Sequence, residues 1–483
     1  MDYVVVGSGP CGASLSYLLS KHNYNVTLIE RDSQLGGSWN SQWIDGKYWS
    51  ENAPRVLTAS ALGNFHNNFV AFLNDLGMKN SDYDNVYYGG IGSVIYIMKT
   101  ILPMFSMLDV IKILILFIIG LVYIPNQTLD EWMINTALSD KAYKALRMFC
   151  ILIQSEPSQM MLPDFIGGIS GIPEFKQLKQ PNKWNTLLEN DLKKRKNTKV
   201  LKNTEVIRLG TCVDGRNVDK VWVRNRSTGE IYPVTGKKVV LAIESPALLR
   251  ILNASNEVIK HNWNDYGWIK KWCEDSYYIG FGFQLHFDKP QKTPSDWCWS
   301  CMDDWTVIIT DNGKWLTPMS HDKNVKAVWS CCITTMDTTS RYLKKTANEC
   351  NEKEVLDECV RQINTRLKLD GLTECKPYKT TTSEGLRKVD GRWLSQNTGF
   401  ARGKMGYLPM QGKLNNLFCL GSCTDIGEPG ITLCGRSVDA SLHYLAKYEP
   451  RVKGFTHQNN QNYQLVLMFV VVASMFCFYK FKK

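Results

Sequence analysis

The chain has 483 residues, of which 44% are hydrophobic and 21% are charged. That composition is ordinary for a globular protein, and the length exceeds one simple domain, so we expect two. The net charge is +11, yet no zinc-finger pattern or basic and aromatic RNA motif accompanies it, which argues against nucleic acid as a partner. The basic run 193–196 predicts a solvated face, with a membrane-surface patch as the alternative.

The first predicted unit consists of a strand, a glycine turn, a helix and a second strand. Residues 3–6 are an apolar run rich in β-branched side chains and predict a buried strand. The glycine turn 7–12 follows, then a predicted helix over 13–21 and a buried strand over 26–29 that ends at Glu30. This order is typical of a nucleotide-binding βαβ unit.

Each glycine of the turn has a physical role in such a unit. Gly7 permits the tight turn, Gly9 lets the backbone approach a pyrophosphate, and Gly12 lets the helix pack closely against the strand. The helix N-terminus offers unpaired N–H groups to the phosphates. Glu30 is placed to bind ribose hydroxyls, and its charge disfavours the 2′-phosphate of NADP. The turn alone leaves FAD and NAD both open.

The first of two strongly hydrophobic segments lies at 107–124. Residues 113–124 are almost continuously apolar, Pro125 stops the run, and 128–131 predicts a capping box that opens a new helix. We expect a helix buried in a substrate domain. The alternative is a monotopic helix that enters the surface of a membrane.

The second hydrophobic segment is at the C-terminus. Residues 463–479 reach the lower limit for spanning a bilayer, and lysines follow them. A polar linker over 449–462 precedes this segment, so we expect a transmembrane tail anchor over 463–480. Because the first strand begins at residue 3 with no signal peptide before it, the catalytic part is expected to face the cytosol.

The 15 cysteines form no regular framework, which fits a reducing compartment. Cys298 and Cys301, together with Cys331 and Cys332, are the arrangement that merits a test as zinc ligands or redox thiols. Both pairs lie in strand-like sequence, and the adjacent pair fits a tetrahedral site poorly. We therefore expect no metal.

Four further stretches follow in an order that a known superfamily shares. The glycine pair Gly36-Gly37 comes after Glu30, a strand pair is predicted over 197–210, and a returning strand lies within 237–252. The stretch 415–448 combines a strand, a glycine loop and a helix. In this order the sequence resembles the flavin-containing amine oxidase and phytoene desaturase superfamily.

Together with the C-terminal segment, the resemblance implies an α/β fold with a Rossmann-like FAD-binding domain of discontinuous segments, an α+β substrate domain and a transmembrane helix. The expected FAD-binding domain comprises 1–60, 200–255 and 400–448. The expected substrate domain comprises 61–199 and 256–399, helical first and then rich in strands.

The resemblance also implies contacts with FAD from three parts of the chain. The expected residues are Gly7, Gly9, Pro10, Cys11, Gly12, Glu30, Arg31, Gly36, Gly37, Ser38, Arg55, Val206, Gly421, Asp425, Gly430, Ile431 and Thr432. Val206 would meet the adenine through its backbone, and Asp425 the ribityl or pyrophosphate part. Residues 430–432 open the last helix, whose N-terminus would point at the N1–C2=O edge of the flavin and stabilise the anionic reduced ring.

The chain departs from the superfamily pattern in places. An arginine often follows the glycine pair, whereas this chain has Ser38, so Arg55 is expected to make a phosphate or flavin contact instead. The surroundings of Cys423 do not match a covalent attachment motif, so FAD is expected to bind non-covalently. Trp393 and Phe400 are candidates for the aromatic pair that holds an amine, and the catalytic residues are not assigned.

We therefore expect a membrane-anchored FAD-dependent oxidoreductase that moves a hydride from a C–N or C–C bond to flavin N5. The two hydrophobic segments favour a lipophilic substrate such as an isoprenoid or lipid. A mono- or polyamine substrate and a non-catalytic FAD-binding membrane scaffold are the alternatives. A flavin monooxygenase needs a second nucleotide fingerprint, and the stretch 87–94 lacks the strand, spacing and acid for one. The electron acceptor and the oligomeric state are left open.

Overall fold

The computed structural model describes residues 1–51, 56–58, 64–87, 101–120, 123–152, 156–169, 174–278, 280–295, 298–301, 303–311, 316–382, 386–389, 391–394, 399–400, 405–427 and 433–455. The tail anchor predicted over 463–480 and the stretch 88–94 lie outside these residues.

The helices of the described chain alternate with short strands. The helices are α1 (Pro10–Lys21), α2 (Asn64–Asp75), α3 (Met107–Gly120), α4 (Leu129–Asn135), α5 (Asp140–Leu152), α6 (Leu162–Ile169), α7 (Lys183–Lys194), α8 (Ser245–Asn253), α9 (Glu257–Lys260), α10 (Tyr266–Asp275), α11 (Glu352–Leu369) and α12 (Leu433–Tyr448). The strands are β1 (Tyr3–Val6), β2 (Val26–Ile29), β3 (Gln42–Ile44), β4 (Tyr48–Ser50), β5 (Val56–Thr58), β6 (Tyr83–Tyr87), β7 (Glu174–Leu178), β8 (Thr198–Leu201), β9 (Thr204–Thr211), β10 (Val218–Asn225), β11 (Ile231–Val234), β12 (Lys238–Leu241), β13 (Tyr277–Tyr278), β14 (Phe281–Phe287), β15 (Cys298–Cys301), β16 (Val307–Asp311), β17 (Ala327–Ile333), β18 (Lys379–Thr382), β19 (Arg387–Val389), β20 (Arg392–Leu394), β21 (Gly399–Phe400) and β22 (Leu417–Cys419).

A five-stranded parallel sheet organises one half of the molecule. Its order is β22-β12-β1-β2-β8, so strands from the start, the middle and the end of the chain lie side by side. Strands β1 and β2 have the bounds predicted from the sequence, and every residue in them is buried. Burial on both faces explains why both strands are continuously apolar rather than alternating.

The two faces of this sheet are covered differently. Val5 and Val240 face a core that includes residues of α1, α2, α7 and α12. Val4 and Leu241 face a second core, formed with the antiparallel sheet β11-β10-β9 and helices α8 to α10. Successive residues therefore bury against opposite layers, as the two-residue period of a strand requires.

Helices α2 and α7 contribute to the core of the parallel sheet, although the predicted substrate domain 61–199 contains them. Phe72 of α2 and Trp184 of α7 are fully buried there, with their ring centroids 6.2 Å apart. An amphipathic pattern predicts one apolar face but not which core will cover it, so the domain limits stay a prediction. The last turn of α7 carries exposed Lys193, which pairs with Glu189, as a solvated face would.

A five-stranded antiparallel sheet organises the other half, in the order β15-β16-β17-β14-β18. Strands β14 and β17 are buried along their whole length. They share a core with residues of α4, α5, α6 and α11. The fold thus combines a parallel Rossmann-like sheet with an antiparallel sheet in the expected substrate region.

Helix α3 lies in the first hydrophobic segment and is not buried as expected. One side packs on the antiparallel half through Leu116, but Leu108 and Ile118 on the other side are 60% and 66% exposed. The expectation of a buried helix is therefore wrong for this side. The capping box predicted after Pro125 is confirmed, since Thr128 and Glu131 exchange hydrogen bonds at the start of α4.

Two expectations concern membranes and metals. Within the described ranges, no helix is both long enough and apolar enough to cross a membrane. Among those same residues, no group of three or more His, Cys, Asp or Glu side chains is arranged to hold a metal ion. Cys301, Cys331 and Cys332 are free thiols buried in the core of the antiparallel half, as their strand-like sequence indicates.

Candidate functional site

The glycine turn after β1 adopts a backbone that other residues would strain. Gly7 has a φ of +93°, and a Cβ there would collide with the carbonyl oxygen of Ala242. A Cβ at Gly12 would collide with the carbonyl oxygen of Gly7. Both glycines therefore allow α1 to start directly against the ends of β1 and β12, as the sequence pattern predicts.

Gly9 has a different environment, because a Cβ at this position would meet no atom within 4 Å. Gly9 caps α1, which begins at Pro10 rather than at the predicted Ala13. Proline suits the first helical position, where its missing N–H would be unpaired in any case. The open space before Gly9 and the unpaired N–H groups of the first turn are what an anion at a helix N-terminus requires.

A cavity of about 430 Å³ lies in front of this turn, at the carboxyl ends of β1, β2 and β12. The carboxyl ends of parallel strands are where nucleotides bind in such sheets. Of the residues predicted to bind the cofactor, the lining contains Gly7, Gly9, Pro10, Cys11, Glu30, Arg31, Gly37, Ser38, Val206 and Gly421. The cavity thus joins residues from the first 38 positions to residues of the last fifth of the chain.

Glu30 ends β2 at the edge of this cavity and is only 5% exposed. Its Oε2 accepts hydrogen bonds from Ser8 N–H, at 2.9 Å, and from Ser8 Oγ, at 2.5 Å. Its Oε1 accepts one from the N–H of Asp32 at 2.9 Å. Burial raises the pKa of Glu30, and the hydrogen bonds from Ser8 and Asp32 oppose that rise.

The second glycine pair forms a roof over the first glycine turn. Gly36 has a φ of +121° and Gly37 a φ of +54°, in the left-handed region that glycine tolerates. The N–H of Gly36 donates to the carbonyl oxygen of Ser8 at 3.2 Å and to its hydroxyl at 3.0 Å. A Cβ on Gly37 would lie 2.9 Å from the Cα of Gly9. The two glycine motifs, both expected to contact FAD, therefore lie against each other in the fold.

Charged side chains surround the end of the cavity near β9. Arg31 forms an ion pair with Asp32 at 3.3 Å, and Arg224 of β10 pairs with Glu205 at 3.3 Å. The predictions omitted Arg224, Glu205, Glu244 and Arg250, all of which line the cavity. Side chains alternate between the two faces of β10, so exposed Arg224 points to the face opposite that of buried Val223. The sequence does not indicate which of these faces meets the nucleotide.

The closing segment contributes Gly421 and Ser422 to the cavity wall. Asp425, predicted at the ribityl or pyrophosphate part, is exposed, and its Oδ1 accepts the N–H of Gly427 at 2.8 Å. In the described part of the chain it is not among the lining residues, nor are Gly12 and Gly36. Arg55 and the expected helix-opening residues 430–432 lie outside the described residues.

Helix α12, near the end of the described chain, packs against α1 near its start. Ser441 of α12 and Ser14 of α1 share a buried hydrogen bond with oxygens 2.8 Å apart. Ser437, one turn earlier, lines the cavity. Arg436 is 1% exposed, stacks on the ring of Tyr407 at 3.8 Å and donates to the carbonyl oxygen of Thr424. These contacts fix the closing segment beside the glycine turn.

Trp393 does not occupy the position of an aromatic pair around a substrate. It is 6% exposed, packs edge-on against Phe281, and donates its indole N–H to the carbonyl oxygen of Ala347 at 3.1 Å. It is therefore a core residue of the antiparallel half. The structure does not describe the side chain of Phe400.

Comparison with known proteins identifies this arrangement. A family model described as an NAD(P)-binding Rossmann-like domain matches residues 5–76, and no curated relative matches the sequence. An oxidoreductase from Methanosarcina mazei superposes with a TM-score of 0.62 at 14% identity, covering 92% of this chain and 100% of its own. A protein from Pyrococcus furiosus gives a TM-score of 0.58 at 13% identity, covering 95% and 100%.

A putrescine oxidase bound to putrescine is also similar, with a TM-score of 0.58 at 12% identity over 92% of this chain and 98% of its own. The match over residues 5–76 therefore indicates a Rossmann-like domain at the start of the chain, and the overall fold is similar to that of the putrescine oxidase. The resemblance stated from the sequence is confirmed at the level of the fold.

Proposed function

We propose that this protein is an FAD-dependent oxidoreductase that holds its cofactor non-covalently. The observation that carries the proposal is the single cavity lined by Glu30, by the glycine turn and by Gly421. A cofactor that contacts all three must extend from the end of β2 across the turn to the closing segment. FAD has that length and two ends of different chemistry.

The described residues fit the inert half of FAD. Oε1 of Glu30 accepts only one hydrogen bond and so keeps a lone pair for a ribose hydroxyl, and Val206 lines the same cavity. Gly9 leaves open space where a pyrophosphate would meet the first turn of α1, under the roof formed by Gly37. A volume of about 430 Å³ is within the range of roughly 300–1,000 Å³ that ligand sites occupy.

Bound FAD would supply a hydride acceptor at N5 for a substrate C–H bond, while the neighbouring nitrogen or carbon loses a proton and the C–N or C–C bond becomes a double bond. We assign the role of this chain in that reaction to binding and orientation. Gly421 and Ser422 would meet the half of the cofactor nearer the flavin, because they follow β22, which lies at the opposite edge of the parallel sheet from β2 and β8. We expect non-covalent binding because the surroundings of Cys423 do not match a covalent attachment motif, and its thiol is buried.

A lipophilic substrate is the first candidate. It is supported by the exposed apolar side of α3 and by the apolar segment 463–479. An amine is the second candidate, supported by the similarity of fold to a putrescine oxidase whose structure holds putrescine. A third possibility is a scaffold that binds FAD without turnover.

Anaerobic reduction separates these three candidates. The full chain, purified in detergent and loaded with FAD, is mixed without oxygen with prenyl alcohols, lipids, monoamines and polyamines in turn, while flavin absorbance is recorded. Bleaching by a prenyl compound or lipid supports the first candidate, and bleaching by an amine supports the second. A flavin spectrum that no substrate bleaches, although dithionite does, would leave the scaffold.

We also propose that residues 463–480 anchor the protein with its catalytic part facing the cytosol. The support is the apolar run itself, bounded by a polar linker and by lysines. The full chain should remain in the membrane pellet after alkaline extraction. A full-length variant with Val470→Lys and Val472→Lys should be extracted, and extraction of the unaltered chain would overturn the anchor.

A further inference from the structure

Helix α3 presents a continuous apolar surface to solvent. The surface consists of Leu108, Ile111, Ile115, Ile118 and Ile119, which we call the α3 apolar face. Each of these side chains is between 46% and 66% exposed. Their spacing of three, four and seven residues places them on one side of the helix.

Exposed large hydrophobic residues are concentrated at this helix. Across the described ranges, 16 such side chains are exposed, and 7 of them lie between Met107 and Tyr123. Scattered exposed hydrophobic residues need no explanation, whereas a contiguous apolar patch marks a surface that another phase or molecule covers. The α3 apolar face is therefore a candidate docking surface.

Polar contacts on the opposite side of α3 keep the α3 apolar face turned toward solvent. Asp109 is 2% exposed and accepts hydrogen bonds from the N–H and hydroxyl of both Ser106 and Ser139. Leu116, which lies outside the face, is buried in the core of the antiparallel half. Because these contacts fix the rotation of the helix, it cannot bury the face by turning about its axis.

The charges of α3 suit a membrane surface. The helix carries one acidic residue, Asp109, which is buried away from the face. Its one basic residue, Lys112, lies at the edge of the face and donates to the carbonyl oxygen of Ala137 at 2.6 Å. This bond holds the ammonium at the edge of the face, where lipid headgroups would meet the helix.

The length of α3 and the rest of the chain point to the same occupant. Fourteen residues extend about 21 Å, which is too short to cross a hydrocarbon core of about 30 Å but sufficient to lie in its interface. The chain also carries an apolar segment at 463–479, beyond the last described residue, Phe455. We propose that the α3 apolar face docks into the headgroup and acyl boundary of an anionic lipid bilayer. This inference goes beyond the proposed oxidoreductase, and neither depends on the other.

A fluorescent probe at the face tests this proposal in the full chain. Ile115→Cys and Ile118→Cys are each labelled with an environment-sensitive fluorophore, and the unaltered chain gives the background from native thiols. Leu369→Cys is the matched control, because Leu369 is 77% exposed at the end of α11 in the same half of the molecule. Each protein is reconstituted into phosphatidylcholine and phosphatidylserine vesicles with and without a nitroxide-labelled acyl chain.

We expect a blue-shifted emission at positions 115 and 118 that the nitroxide lipid quenches severalfold more strongly than at position 369. Equal quenching at all three positions would overturn the proposal.

A blue shift in detergent that grows with protein concentration would overturn it in favour of a second copy of the chain. A blue shift in detergent that is independent of concentration, and lost when Val470→Lys and Val472→Lys are added, would overturn it in favour of the chain's own C-terminal segment.

Discussion

Ser8 directs both its backbone N–H and its hydroxyl at one carboxylate oxygen of Glu30. The same hydroxyl accepts the N–H of Gly36, so one side chain ties the first strand, the second strand and the second glycine pair together. A buried carboxylate is costly unless it is hydrogen-bonded. The hydrogen bonds from Ser8 and Asp32 offset that cost and leave a carboxylate beside the cavity, where it is a candidate for binding a ligand.

Replacing Glu30 should change FAD binding and the stability of the FAD-free protein in different ways. We expect Glu30→Gln to weaken FAD binding about tenfold, the equivalent of about 1.4 kcal/mol, because a charged acceptor for the ribose hydroxyls is lost. The folded state raises the pKa of Glu30, so the stability it contributes is present below the pKa of the unfolded chain and is lost as the pH rises. The FAD-free parent should therefore lose more stability than the FAD-free variant as the pH rises from mildly acidic to neutral.

Fluorescence titration with FAD and thermal unfolding of the FAD-free protein measure the two effects. Glu205→Gln is the matched control, since Glu205 lines the same cavity but pairs with Arg224 near the surface. An unchanged FAD affinity in Glu30→Gln would remove Glu30 from the proposed ribose contact.

The glycine turn should respond differently at two of its positions. Gly9→Glu is expected to abolish FAD uptake while the circular dichroism spectrum stays that of the parent, since a Cβ at Gly9 meets no atom within 4 Å. Gly12→Ala should destabilise the fold by about 1–3 kcal/mol, because its Cβ would collide with the carbonyl oxygen of Gly7. FAD retention by a folded Gly9→Glu protein would contradict the placement of the pyrophosphate.

Glu449 joins the end of α12 to the parallel sheet. Its carboxylate accepts hydrogen bonds from Tyr3, from Tyr24 at 2.5 Å and from Lys238 at 2.5 Å. Glu449→Ala should lower the free energy of unfolding by about 2–4 kcal/mol, because it leaves a partly buried ammonium and two phenols without their acceptor. Urea denaturation measures this loss, and Glu257→Ala, which removes a surface pair with Lys260, is the control.

Glu449 should also contribute to acid sensitivity. Burial raises its pKa, but hydrogen bonds from Lys238, Tyr24 and Tyr3 outweigh burial and lower it. Its stabilising contribution is therefore present above the pKa of the unfolded chain and is lost as the pH falls. A Glu449→Gln variant should lose less stability than the parent on acidification, and a parallel loss would contradict this assignment.

His286 should make the antiparallel half sensitive to mild acid. It is 1% exposed on β14, its Nε2 lies 3.0 Å from the hydroxyl of Thr381, and burial lowers its pKa to about 4. The unfolded chain takes up this proton near pH 6.5, so stability should fall by up to about 3 kcal/mol between pH 6.5 and pH 4.

The denaturation midpoint as a function of pH tests this contribution. His286→Gln should flatten the curve between pH 6.5 and pH 4, whatever its effect on stability at neutral pH. Identical slopes for the variant and the parent would show that another group carries the acid sensitivity.

The sequence predicts the local unit around the turn well because its information is local. The bounds of β1 and β2 follow from short apolar runs, and the conformation of Gly7 follows from the turn. The start of α1 was misplaced because Pro10 was assigned to the turn, although proline suits the first helical position. The placement of Glu30 at the cavity edge also follows from the sequence, because it directly follows the second strand.

Features that depend on contacts between residues far apart in the sequence cannot be predicted from local patterns. The placement of α2 and α7 in the core of the parallel sheet depends on α12, more than 230 residues away. The apolar composition of α3 predicts a helix, but only packing decides that Leu116 is covered while Ile118 is exposed. Arg224 and Arg250 reach the cavity from elements whose orientation the sequence pattern does not specify.

The flavin content of the full chain tests the central claim most directly. The protein is purified in detergent with added FAD, freed of unbound cofactor, and its absorbance is recorded before and after acid precipitation. We predict a yellow protein with close to one FAD per chain, released on precipitation because it is not covalently attached. A colourless protein that takes up no FAD would contradict the account.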